Sequence, residues 1–416
     1  MLFVFMLFSY HNLLGRIEDL GAQTYMPLFR NKGLSDEATP FVFIDIDEST
    51  FAAWGRPPWV PRANLKVLIE KAVSAAPQLI IVDIDLSYPY CDRGELADSL
   101  VTNKELVDSV ASILESPSDL DIILMQTTQD GLDDPNKPPA FQCEREFGAE
   151  HRRLHWVAPT VRADVDLVVR GWPLYASISN NEGKSSTIPG LGLLSLAVKE
   201  LHDNERNERC SRYVELYLSK RSADRFNDLV DCLAIYLGND DTMIIFTIPW
   251  KLEDGEVWPS LEDGTPLLTR ISALSLIDAP NVASLSGRIV VIGGSYLAGR
   301  DYHATPIGVM PGAMVLVNAI HSLFEFRIVE SPSSVARLAL GGFSVLIAAW
   351  AFATFPAVIA SALSVAVMVV VTAAVSYYRL WPGVWLDATL PVFAIGVTHW
   401  ASEVVQVGWT VRRRRL

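Results

Sequence analysis

The chain is poor in the residues that build metal and redox centres. Its 416 residues include four cysteines, Cys91, Cys143, Cys210 and Cys232, with no CxxC pair and no Cys/His cluster. That spacing argues against a zinc site, and no metal or cofactor is expected. Walker A, GxGxxG, GxSxG, HExxH and kinase signatures are also missing, which removes the commonest nucleotide-binding and hydrolytic classes. Cations are scarce: 34 Lys and Arg stand against 48 Asp and Glu, a net charge of −14. Phosphate backbones and anionic lipid surfaces repel such a chain, so no nucleic-acid partner is expected. No internal repeat is visible.

What is present is divided unevenly. Half of the residues are hydrophobic and mean hydropathy is +0.25. The apolar excess lies in 331–416, which has six arginines, no lysine and only Asp387 and Glu403 as acids. That segment is +4, leaving 1–330 at −18 against the total of −14. The acidic portion reads as an ordinary globular domain whose charge keeps its surface solvated.

A membrane-spanning helix needs roughly 20 apolar residues. Leu338–Phe355, Ala357–Tyr377 and Val384–Trp409 fit in succession, divided by Pro356 and by the Arg379–Gly383 turn. Arg412 to Arg415 follow the third, which places the C-terminus in the cytoplasm by the positive-inside rule. Three crossings put the 30–330 domain outside, and Trp381, Trp385, Trp400 and Trp409 suit the aromatic belts. The bilayer is therefore an expected partner. His399 and Glu403 are spaced i, i+4 on the third helix and share a face. They are either a functional intramembrane pair or groups drawn to the interface. Met1–Ser9 is apolar but too short to span, and has neither a basic leader nor a cleavage site. It is expected to be the outer end of a first membrane helix that begins upstream. The four cysteines fall in the exported portion, where disulfides form, but spacing sets no pairing and free thiols remain open.

In the outer portion, Phe41–Ile46, Leu79–Ile84, Asp121–Met125, Leu167–Val169 with Leu174–Tyr175, Met243–Ile248 and Ile289–Ile292 read as strands. Their near-continuous apolar character predicts cover on both faces. Arg62–Ala76, Glu105–Leu114, Gly190–Leu201 and Gly312–Phe326 have helical periodicity. The alternation predicts an α/β layered domain. Gln129–Arg153 and His202–Asp231 are polar insertions.

Two chemical readings attach to the acids after the strands. Asp45-Ile46-Asp47 follows a strand and resembles the first motif of haloacid dehalogenase-type phosphatases. That likeness implies Asp45 as nucleophile and Asp47 as acid/base, with Asp83, Asp85, Asp240 and Asp241 as further carboxylates. Ser49 stands where that family has Thr or Val, and no matching Lys motif follows. Gly293-Gly294-Ser295 reads as a structural turn rather than an anion cradle.

Four stretches in order resemble a sensory family, the CHASE domain of type 2. They are Phe41–Thr50 with Gly55-Arg-Pro-Pro-Trp-Val-Pro-Arg62; Ile80–Leu86; Asp164–Pro173; and Gly287–Gly294 with Asp301–Gly308, Pro311-Gly312 and Asn318-Ala319. The resemblance covers roughly 15–410 and includes three terminal membrane helices. It implies an α/β layered extracytoplasmic sensory domain plus a C-terminal three-helix transmembrane bundle. The domains are then 1–29 as partial membrane helix and connector, 30–330 as sensor, 331–411 as bundle and 412–416 as basic tail. The implied protein is a non-enzymatic sensor or regulatory subunit in signal transduction, multi-pass in a bacterial inner membrane. Family members usually continue into a cytoplasmic output module, which this sequence does not include. A separate effector protein or a second copy through the membrane helices is the expected partner. An envelope scaffold is the alternative. The unknown extracytoplasmic ligand is expected at the sheet edge, near Asp45, Asp83, Asp301 and Thr305, with Arg56, Arg62 or Arg170 as partners.

Overall fold

β-branched runs alternating with amphipathic segments produce a six-stranded sheet in order β10-β1-β11-β2-β3-β4, parallel throughout. The computed structural model describes residues 38–86, 97–116, 120–125, 153–157, 161–163, 167–179, 185–202, 241–252, 258–279 and 285–326, and scattered positions between 343 and 367. The strands are β1 (Phe41–Ile46), β2 (Leu79–Asp83), β3 (Asp121–Met125), β4 (Leu154–Val157), β10 (Leu268–Ser272) and β11 (Ile289–Gly294). The chain divides into two compact units, Phe29–Glu325, and Met1–Leu28 with Phe326–Leu416.

The pleat sends alternate side chains to opposite faces. Val42, Ile44 and Ile46, with Ile80, Val82, Ile122, Leu124, Val290 and Ile292, enter one dry core. It is covered by α2 (Arg62–Ser74) through Leu65, Leu68, Ile69 and Ala72, and by α3 (Ala97–Glu115) through Leu106, Val107, Val110 and Leu114. The short α1 (Glu48–Ala53) and α5 (Ala273–Asp278) follow β1 and β10 directly. Asp47 caps α1, its Oδ1 accepting from Thr50 N at 2.7 Å, which satisfies one of the free donors of a helix start.

On the other face lies α6 (Gly312–Phe326), buried at every position from Gly312 to Leu323. A helix buried all round packs against more than one layer. Phe41 meets His321 edge-on at 6.3 Å, and a side chain at Gly293 would stand 2.6 Å from Ala313 Cβ. Glycine there lets α6 approach the sheet. Lys199 of α4 (Leu191–His202) lies over the Phe324 ring at 5.8 Å.

Smaller sheets complete the unit: β5 (Arg162–Ala163), β6 (Val169–Pro173) and β9 (Asp241–Met243); β7 (Tyr175–Ser179) with β8 (Ser185–Pro189); and the hairpin β12 (Tyr302–Thr305) with β13 (Gly308–Pro311). The expected strand Met243–Ile248 is corrected: only Met243 belongs to β9. The backbone beyond it pairs with α6 side chains instead. Ile245 N donates to Ser322 Oγ at 2.9 Å, and Thr247 N and Ile248 N donate to Asn318 Oδ1 at 3.1 and 2.9 Å. The bent strand expected at 167–175 is β6 and β7, joined at Leu174; Leu167 precedes β6 with φ 66°.

Among the described residues no helix is long and apolar enough to cross a membrane. The span expected at Val384–Trp409 lies outside the described residues, that at Ala357–Tyr377 largely so, and that at Leu338–Phe355 is described only in part. Met1–Ser9, the four cysteines, Asp164 to Asp166, Asp240, His399, Glu403 and the Arg412–Arg415 tail also lie outside them.

Candidate functional site

Parallel sheets hold ligands beyond the carboxyl ends of their strands. Here that edge carries one row of aligned residues: Ser272 of β10, Asp45 of β1, Gly293 of β11 and Asp83 of β2 stand opposite one another in turn. Asp45 and Asp83 project on the α6 side, because Phe43, two residues before Asp45, and Asp83 both flank the missing Cβ of Gly293.

Asp45 is fully buried, and Arg270 binds it through Nε at 2.7 Å and Nη2 at 2.6 Å, both to Oδ2. Oδ1 has no hydrogen-bond partner among the described residues. Burial pushes the Asp45 carboxyl above its usual range, while Ser295 and Arg270 pull it back. The Arg270 side chain is 42% exposed and packs over Trp250, 4.1 Å from the ring centroid. The Tyr302 hydroxyl donates to Ser295 O at 2.6 Å. Burial, then the nearby Asp45, raises its pKa.

Arg270, Trp250, Ser295 and Tyr302 also line a cavity of ≈ 500 Å³. Asp47, Glu48, Ser49, Lys251, Leu297 and Val309 complete its lining. Leu297 and Val309 are 72% and 61% exposed.

Beside the cavity is a second cluster. His303 Nε2 lies 2.9 Å from Asp301 Oδ1, and the Asp301 carboxylate rests against Gly312, the first residue of α6. Any side chain at Gly312 would collide with it. Asp83 is pushed up to about 7 by burial and by the charge of Asp301, with His303 opposing. The hydrogen bond to Asp301 raises His303.

The structure brings Asp45, Asp83 and Asp301 to one edge but changes their partners. Arg56 lies at the surface and pairs with Glu48 at 3.5 Å. Arg62 is buried, its Nη2 3.5 Å from Asp85 O, and desolvation lowers it to about 10. Arg170 belongs to β6, where its carbonyl accepts Ile244 N at 2.7 Å. Thr305 closes the β12–β13 turn through Gly308 O at 2.5 Å. The residues missed were Arg270, Trp250, Lys251, Ser295 and Tyr302. A phosphatase reading fits this geometry poorly: Asp45 is sealed from solvent, and Asp47 Oδ1 is engaged by Ser49 Oγ, Thr50 N and Thr50 Oγ1. Among the described residues no cluster of His, Cys, Asp and Glu could hold a metal.

The architecture is thus a parallel α/β layer with a cavity at the carboxyl edge of its sheet. A family model described as the CHASE2 domain matches residues 1–357. The chain belongs to the CHASE2 domain family, whose members are extracellular sensory domains. No curated protein and no solved structure matches the chain.

Proposed function

We propose that the protein is a membrane-anchored sensor whose outer domain receives a ligand in the cavity beside Arg270. That cavity carries the reading, since it brings the solvent-open Arg270 together with Lys251, Asp47, Glu48, Trp250 and Tyr302 at the carboxyl edge of the sheet. Family membership supports a sensory role outside the cytoplasm. Anchoring is supported by the apolar composition of 331–416. It is also supported by the inverted burial of that region: Phe343, Leu346, Trp350, Phe355 and Ile359 are exposed, whereas Ala351, Ala360 and Ser364 are buried. Large apolar side chains facing outward with small ones inside suit helices packed in lipid.

In this reading α6 leads out of the domain into the apolar segment, which passes the signal to an effector or to a second copy. A ligand achieves this only by binding one arrangement of that segment better than another. The placement is tested in spheroplasts, with a reporter that fluoresces only in the cytoplasm fused after Leu416. The expected result is a fluorescent C-terminus and an outer domain cleaved by added protease. A protected domain overturns the placement. Crosslinking in native membranes then separates the outputs: recovery only with itself favours the second copy.

A further inference from the structure

We propose that Asp83, Asp301 and His303 form a proton-sensing cluster, separate from the cavity, through which the acidity around the domain controls how tightly the first turn of α6 is seated on the sheet.

Two carboxylates flank the first two residues of α6. A side chain at Gly293 would stand 2.6 Å from Ala313 Cβ and 3.6 Å from Asp83 Cβ. The Asp301 carboxylate fills the space that a side chain at Gly312 would need, and Gly312 N donates to Asp301 O at 2.9 Å. His303 Nε2 lies 2.9 Å from Asp301 Oδ1. The two acids rest on unequal supports. Asp83 ends β2, which lies between β11 and β3 inside the six-stranded sheet. It keeps partial access to water, so protons reach it. Asp301 and His303 stand at the start of the two-stranded hairpin β12–β13, with side chains 53% and 29% exposed. Repulsion between the acids is therefore taken up by the hairpin and by the α6 turn tied to it.

The charge on this cluster changes near neutrality. Burial, then the charge of Asp301, pushes Asp83 up to about 7, and the hydrogen bond to Asp301 raises His303. In acid, Asp83 is neutral and the Asp301 anion is balanced by a His303 cation. Above neutrality, His303 is neutral and two carboxylates face each other, an arrangement that a partly buried site disfavours. A helix start favours one nearby anion, and Asp301 already supplies it. The second anion meets both burial and like charge. The protons leave as a coupled set, so the midpoint belongs to the cluster. Its contribution to seating is complete in acid and is lost as pH rises through about 7. Tyr296 also faces Asp301, but burial and then that charge raise its phenol, which stays neutral here. Asp85 turns its charge to Arg62 instead. α6 brings no titratable side chain before His321. Among the described residues no other charge bears on Asp83 or His303, Arg170 of the adjacent β6 included.

The test is amide hydrogen exchange of the full chain in lipid nanodiscs, read by mass spectrometry between about pH 5.5 and 8.5 and corrected for the intrinsic rate. Peptides covering 302–318 are expected to lose about fivefold in protection across this range, while those covering α2 change less than about twofold. Asp83→Asn, which cannot ionise, should keep the acid level of protection throughout. His303→Gln should move the midpoint to higher pH, because the cation that opposes the rise of Asp83 is gone. Asp301→Asn should move it to lower pH, because the repelling anion is gone. A merely structural role for these residues would lower protection at every pH and shift no midpoint. Unchanged wild-type protection across the range overturns the proposal. So does an Asp83→Asn variant that titrates like the wild type, or a pair of midpoints that move the same way in His303→Gln and Asp301→Asn. If Asp83→Asn does not fold, those two midpoints decide alone.

Discussion

The two faces of the central sheet are held by different physics. On one, Val42, Ile44, Ile80, Val82, Val290 and Ile292 meet apolar residues of α2, α3 and α5 in a dry core. On the other, the same strands meet α6 through polar groups as well as apolar ones: Asp45 and Asp83 from the sheet, with Asn318, His321 and Ser322 from the helix. An apolar core has one good packing and resists change gradually. A polar layer has discrete hydrogen-bonding and protonation states. The α6 face is therefore the one whose bonding can change stepwise, and α6 is the last helix of its unit.

The largest expected effect breaks this comparison at Asn318. Its side chain binds Thr247 N, Ile248 N, Ile248 O at 2.9 Å and Met314 O at 3.0 Å. Asn318→Ala leaves several buried backbone groups unpaired, at about 1–3 kcal/mol each before relaxation. A loss of about 4 kcal/mol in urea unfolding is expected. Ile80→Ala on the dry face should cost about 3 kcal/mol by lost burial and cavity formation. Conservative changes separate the faces further. Ile80→Val should cost only about 1 kcal/mol, whereas Asn318→Leu should be nearly as damaging as Asn318→Ala, because size does not replace its hydrogen bonds.

Titration sharpens the contrast. Asp83 is raised to about 7, so its contribution is complete below the unfolded value of 3.8 and is lost as pH rises through 7. His303, also raised, acts in the same direction. His321 is pushed down to about 4 by burial, with Glu325 opposing. Its contribution is present above the unfolded 6.5 and is lost as pH falls toward 4. Asp83 and His321 therefore oppose each other between pH 4 and 7, each by about 2 kcal/mol once the partial exposure of Asp83 is discounted. Wild-type stability should be nearly flat there. Asp83→Asn should lose stability on acidification through this window, and His321→Gln should gain it. Urea midpoints at pH 4.5, 5.5, 6.5 and 7.5 decide. Parallel profiles for the two variants would refute the opposition.

Much of the architecture was legible in the sequence because parallel strands buried on both faces are apolar along their whole length. β1, β2, β3 and β11 fall where their runs predicted, and Gly312–Phe326 is helical from end to end. β10 escaped because Leu268–Ser272 lies at the sheet margin and mixes Thr, Arg and Ser with two aliphatics. Missing that strand meant missing Arg270, and with it the partner of Asp45 and one side of the cavity. No local signal in the sequence joins residues 225 positions apart. Met243–Ile248 misled for the opposite reason. Its residues are as buried as a strand, but Asn318 and Ser322 take the hydrogen bonds a neighbouring strand would have taken. The Asn318 of the family motif thus works on the α6 face, and the Asp45 of the first motif holds Arg270, which lines the cavity.

The smallest effect belongs to Arg56, which motif order had placed among the ligand partners. Its pairing with Glu48 is exposed on both sides, at 66% and 50%, a geometry that contributes about 0–1 kcal/mol. Its backbone is left-handed at φ 54°, directly after Gly55 at φ 82°. A non-glycine residue there is strained by about 1 kcal/mol. Arg56→Gly removes a weak ion pair and relieves that strain, while the added freedom of the unfolded chain takes back part of the gain. The net change in stability should stay within about 0.5 kcal/mol. Urea unfolding of Arg56→Gly beside the wild type checks it: a loss clearly above about 1 kcal/mol would mean that the exposed pair holds the turn more firmly than its geometry allows.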